Sequence, residues 1–139
     1  MPPVFVDTSI WYAAAADGDA HTQAARSLLR ENAGTLVTSD VVLTELWNLV
    51  NARVNHHAAD RIVSSITGGI ARVECTTDDD LKAASDVLEV FPDQAFSLTD
   101  RTGWALMERL GIADALALDT DFRVYRYGPQ RRKAFTVRP

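Results

Sequence analysis

Cysteine occurs once in the 139 residues, at Cys75, so no disulfide can close within the chain and a reducing cytoplasm is the expected location. In an alternating stretch Cys75 shares a face with Ala71 and Val73, which predicts a buried structural thiol. Histidine occurs only at His21, His56 and His57, without a second ligand pair at intervals that zinc uses, so surface or capping roles are expected. No apolar run approaches the roughly 18 residues needed to cross a bilayer, and the start MPPVFVDTS lacks the basic and long apolar regions of a secretory signal. A soluble, uncleaved chain without membrane contact is expected. Internal repeats, low-complexity linkers and glycine-rich phosphate loops are also missing.

What is present suits one globular domain spanning residues 1–139, since 47% hydrophobic and 24% charged residues can form one sizeable core. The formal net charge is −5, which taken alone argues against a nucleic-acid binder. The charge is uneven, however. All 19 acids lie at or before Asp121 beside 8 Lys or Arg, whereas Arg123, Arg126, Arg131, Arg132, Lys133 and Arg138 follow with no acid among them. A basic tail on an acidic body predicts a phosphate-facing segment, to be weighed against an ordinary solvated edge.

Short apolar runs alternate with amphipathic stretches. Pro3–Val6 reads as a strand that stops at Asp7, with Thr8 and Ser9 placed to cap the next helix or to orient the carboxylate. Helices are predicted from Trp11, over 20–32, over 41–54 after a Ser39 or Asp40 cap, and over 58–66 after a polar turn at His56 and His57. Strands are predicted over 35–38 and 70–75. Thr77 caps a further helix whose first-turn acids Asp78, Asp79 and Asp80 complement its positive end, with Leu81, Ala84, Leu88 and Phe91 as the apolar stripe. Thr99 is a plausible cap for a helix that carries Asp100 in its first turn and stops at Gly111. Residues 113–118 then form an apolar run, with Asp119 to Phe122 as the strand's end, and Tyr125, Tyr127 and 135–137 supply closing strands. This alternation predicts an α/β sandwich with a mostly parallel sheet.

Parallel sheets bind ligands beyond the carboxyl ends of their strands, where Asp7, Asp119 and Asp121 fall. Glu45, on the flank of the stripe Val42, Leu46, Leu49 and Arg53, and Asp100 occupy helix positions that can face them. Partly buried carboxylates need a cation, a donor or a metal. Oxygen ligands without Cys or His select hard ions such as Mg²⁺ or Mn²⁺, one or two of which can activate water and hold a phosphodiester. Phosphodiester hydrolysis is therefore the predicted chemistry, with the Arg-rich tail supplying backbone contacts.

Strand-Asp7-Thr8-Ser9, Thr44-Glu45-Leu46, Ser97-Leu98-Thr99-Asp100 with 106–111, and 114–122 together resemble the PIN-domain ribonucleases, nearest to the VapC-type toxins of bacterial toxin-antitoxin pairs. The tripeptides are weak singly; their order and spacing carry the resemblance over nearly the whole chain. It implies a single PIN domain, a three-layer sandwich with helices on both sides of the sheet, and a Mg²⁺- or Mn²⁺-dependent endoribonuclease. It also implies a homodimer, and a cognate antitoxin that inhibits the toxin within a larger complex. Carried over, Asp7, Glu45, Asp100 and Asp119 form the acidic quartet, with Asp121 as the alternative fourth acid and Thr8, Ser9 and Thr99 in support. Arg123, Arg131, Arg132 and Lys133 would contact RNA.

Other readings fit less well. A phospho-acceptor receiver would need an acidic pair near the first strand and a Lys after a late strand, and a haloacid-dehalogenase-like phosphatase would need an acid where Ser9 stands. A catalytically idle binding module and an RNA-maturation nuclease outside toxin-antitoxin systems stay open.

Overall fold

A computed structural model describes residues 1–139. Five strands, β1 (Val4–Val6), β2 (Leu36–Ser39), β3 (Arg72–Glu74), β4 (Asp114–Leu116) and β5 (Thr136–Arg138), form one sheet in the order β3-β2-β1-β4-β5. Every pairing is parallel, so the expected mostly parallel sheet is wholly so. Parallel neighbours need crossovers, and these are the helices α1 (Thr8–Ala15), α2 (Thr22–Glu31), α3 (Asp40–Arg53), α4 (His56–Ser65), α5 (Asp78–Val90), α6 (Leu98–Leu110) and the short α7 (Asp121–Val124). Together sheet and helices make the three-layer sandwich. No helix is long and apolar enough to cross a membrane.

The sheet runs outward from β1 to β3 and then resumes on the other side of β1 with β4. The crevice above the carboxyl ends of β1 and β4 is thus the topological switch point, the place where open α/β sheets keep ligands. The central strands β1 and β2 are buried throughout: β1 is wholly apolar, and in β2 the Thr38 hydroxyl donates to the Val6 carbonyl while Ser39 caps α3. Beside them Trp104 stacks on Tyr125 at 4.2 Å and meets Phe96 and Phe122 edge-on at 4.8 and 5.5 Å. Aromatic pairs of this kind contribute about 0.5–1.5 kcal/mol each beyond the area they bury, and this group seats α6 against the sheet.

Several local expectations are corrected. Ser97, not Thr99, caps α6: its hydroxyl accepts from the backbone N–H of Asp100, while Thr99 lies inside the first turn. Gly111 ends that helix at φ 70, a left-handed conformation that glycine adopts without a Cβ clash. Cys75 is exposed rather than buried, because the edge strand β3 stops at Glu74 and releases the next residue to solvent. On α5 the inward face is Asp80, Ala84 and Val87, whereas Leu81 and Leu88 are 43% and 48% exposed. His56 and His57 begin α4 behind the cap Asn55 instead of forming a turn, and residues 121–124 start a helix instead of extending β4. Only β5 closes the sheet; Tyr127 makes a single antiparallel bridge with Lys133.

Candidate active site

The switch-point crevice holds a cavity of about 570 Å³ lined by Asp7, Glu45, Asp100, Asp119 and Asp121, with Thr8 and Ser9. Each acid arrives by a different local rule. Asp7 follows β1 and is the N-cap of α1, its Oδ2 accepting from the backbone N–H of Ser9 at 3.2 Å and from the Ser9 hydroxyl at 2.6 Å. The same hydroxyl accepts from the Leu118 backbone N–H at 3.0 Å, so Ser9 ties the end of β1 to the end of β4. Asp119 Oδ1 accepts from the Asp121 backbone N–H at 2.9 Å, a local turn that leads from β4 into α7. Asp100 stands in the first turn of α6, fixed by the Ser97 cap. Carboxylate oxygens of Asp100, Asp119 and Asp121 lie within 4.8 Å of one another.

The two acids that competed for one position in the sequence are thus both beside Asp100. Thr99 does not line this cavity; it lines a neighbouring one with Glu45 and Asp40. Arg123, Arg131, Arg132 and Lys133 do not line it either. Arg123 donates to the carbonyls of Val137 and Pro139, Arg131 donates to the Tyr125 hydroxyl at 2.9 Å, and Arg132 and Lys133 are exposed. Sequence reasoning missed Asp19 and Tyr12 on the cavity wall and placed Arg53 only in a helical stripe. Eight residues separate Arg53 from Glu45, a spacing that returns to one helix face and was the available signal.

None of the five acids takes part in an ion pair, since the chain's salt bridges are Arg26–Asp17, Arg72–Glu74 and Arg109–Asp80. Burial pushes the Asp7 carboxyl up to about 6, against the Ser9 hydrogen bonds that pull it down. Burial, and then the negative charges of Asp7 and Asp119, push Asp100 up to about 8. Asp121 is raised by burial and by Asp119. Thr8 Oγ1 is buried at the same place without a hydrogen-bond partner. An unpaired hydroxyl and clustered, uncompensated carboxylates form an all-oxygen donor set, which fits a hard divalent cation and its waters.

The PIN-domain family profile matches residues 4–126. The 23S rRNA-specific endonuclease VapC20 of Mycobacterium tuberculosis is 36% identical over 119 residues, which cover 86% of this chain and 91% of that protein. The crystal structure of VapC20, described as a Sarcin-Ricin loop cleaving toxin, superposes with a TM-score of 0.81 at 35% identity over 87% of this chain and 93% of that one. A toxin-antitoxin complex from Klebsiella pneumoniae shares the fold, with a TM-score of 0.62 at 12% identity over 84% and 87% of the two chains. With a parallel sheet that reverses at β1, an acid at each strand end of that reversal, and a family profile spanning most of its length, the chain belongs to the PIN-domain family.

Proposed function

We propose that this protein is a Mg²⁺- or Mn²⁺-dependent endoribonuclease that acts as the toxin of a toxin-antitoxin pair. The observation that carries the reading is the set of five carboxylates in one crevice without a cation among their partners. Asp100, Asp119 and Asp121 would hold one ion, and Asp7 and Glu45 would complete that site or share a second. When bound, the ion supplies an activated water and positive charge at the phosphodiester. Ser9 holds Asp7 in place and Ser97 fixes the turn bearing Asp100, so the carboxylates are oriented before any ligand arrives. Hydrolysis adds the water oxygen to phosphorus, breaks the bond to the leaving ribose oxygen and delivers the water's proton to that oxygen.

Ribosomal RNA of the large subunit is the first substrate to try, because the 36% identical relative cuts 23S rRNA. A small antitoxin is the proposed inhibitor, since the 35% identical VapC20 structure is that of a toxin and the Klebsiella pneumoniae structure of the same fold is a toxin-antitoxin complex. A homodimer is proposed as well, with the half-exposed Leu81 and Leu88 of α5 as apolar surface available for it; light scattering of the purified chain tests this, and a monomeric mass removes it. Outer contacts to the RNA backbone are assigned to Arg123, Arg131, Arg132 and Lys133, with Arg131 already engaged by Tyr125.

The deciding experiment incubates purified protein with total RNA and Mg²⁺ or Mn²⁺ and maps the new ends. Wild type cuts, whereas EDTA, Asp7→Asn or Asp100→Asn reduces cutting to below about 1%. Equal cutting by all preparations would remove the mechanism, and no cutting by wild type would leave an idle binding module. Changing Arg132 and Lys133 to Ala lowers the salt dependence of RNA binding; an unchanged slope takes the tail out of the reading.

A further inference from the structure

The acidic cavity has one basic side chain in its lining, Arg53, at the last residue of α3. Five acids of the site and Asp19 line the same cavity, yet the Arg53 side chain pairs with none of them and makes no hydrogen bond within the chain. Its guanidinium instead lies over the Tyr12 ring, 5.3 Å from the centroid. An aromatic face attracts a cation without using its N–H groups, so the donors stay free for an outside ligand while the side chain is braced. Tyr12 is itself half-buried and packed against the core, which makes it a firm support.

Position along the helix decides which ligand atom Arg53 can meet. Glu45, Leu49 and Arg53 share one face of α3 and all line the cavity. At about 1.5 Å per residue, the Cα of Arg53 stands roughly 12 Å beyond that of Glu45 along the axis, and its guanidinium, held at the Tyr12 ring, is within ion-pair reach of none of the acids. We infer that Arg53, braced on Tyr12, binds a phosphate flanking the scissile one and fixes the path of a single strand across the acidic floor. The inference rests on the nuclease reading for the identity of the ligand. It adds the residue that receives the polymer and makes Tyr12 a positioning residue. A guanidinium fork suits two phosphate oxygens, which an ammonium meets only as a point charge.

The test is the affinity of a fluorescent single-stranded RNA hexamer in Mg²⁺ at several salt concentrations, on an Asp100→Asn background so that the probe stays intact. Arg53→Ala binds about tenfold more weakly, and its salt slope falls by about 0.7, the value for one phosphate contact on a single strand. Arg53→Lys restores the slope and only part of the affinity, and Tyr12→Leu weakens binding where Tyr12→Phe does not. Arg53→Ala with the parent's affinity and slope overturns the inference, even if its melting temperature has moved, since that would leave Arg53 a local charge neutraliser. The cleavage assay is separate: metal-dependent cutting with an unchanged Arg53→Ala slope sinks this inference alone, whereas loss of the slope supports it whether or not the chain cuts.

Discussion

Two groups of aspartates in this chain reach opposite electrostatic states. At the start of α5, Asp80 closes a capping box with Thr77 and takes a two-pronged bond from Arg109, at 3.0 and 2.9 Å. Burial raises its carboxyl, but the Arg109 and Thr77 hydrogen bonds together outweigh burial and hold it below the usual carboxylate range. In the crevice, Asp7 and Asp100 are closed to solvent like Asp80 but sit deeper in the protein, lack any such cation, and are pushed up to about 6 and about 8. Burial pushes upward on both groups, more strongly in the crevice, and only the α5 group has a cation to offset it. A satisfied acid cluster is architecture; an unsatisfied one stores a demand for positive charge that folding alone does not meet.

The widest separation between the two groups lies in their pH dependence. Asp100 holds its proton up to about 8 in the fold against an ordinary value of 3.8, so folding takes up a proton between those limits. Metal-free protein therefore loses stability as pH rises from about 4 to about 8, by up to several kcal/mol at about 1.4 kcal/mol per pH unit for one proton. Asp7 and Asp121 add in the same direction. Urea melts in EDTA at pH 5 and pH 8 measure this, and Asp100→Asn should flatten the trend. Stability that climbs over that range would contradict it. Asp80 has the reverse sign: its contribution is complete above the ordinary 3.8 and fades as pH falls below it.

A smaller effect is expected from Asp80→Asn, which removes the charge that answers Arg109. The change costs about 2 kcal/mol in chemical denaturation, less than a fully buried pair would, because Arg109 is 35% exposed and can turn to water. RNA cleavage should survive it, the converse of Asp100→Asn. A stability unchanged by Asp80→Asn would show that the two clusters differ less than their partners imply. Least of all, Asp79→Asn should cost about 0.5 kcal/mol, the scale of one exposed acid at a helix start. A much larger loss would mean that Asp79 has a partner of its own.

Much of the site was readable because strand ends and helix caps are local. Asp7 and Asp119 were placed by apolar runs that stop, and Asp100 by the helix that Gly111 ends. Other features depend on contacts distant in sequence. Asp80 and Arg109 are 29 residues apart, and their pairing turns α5 so that Val87 faces inward where the spacing of Leu81 and Leu88 pointed elsewhere. Ser97 and Thr99 are both capping residues two positions apart, and only the helix's true start separates them. Arg53 was legible as sharing a helix face with Glu45, but its bracing on the Tyr12 ring depends on a contact between α3 and α1. The basic tail was visible as composition, but composition does not reveal that Arg131 is occupied by Tyr125.

Gly103 sits on α6 one turn after Asp100, and a Cβ there would come within 3.1 Å of the Phe5 ring. Phe5 in turn lies two residues before Asp7 on β1. The bare backbone of one residue resting on one ring edge is therefore a spacer gauge: it sets how low the helix rides and, through it, the gap between two carboxylates on opposite walls. Any side chain added at that point would lift helix and acid together, widening by tenths of an ångström an opening that must match the radius of an ion.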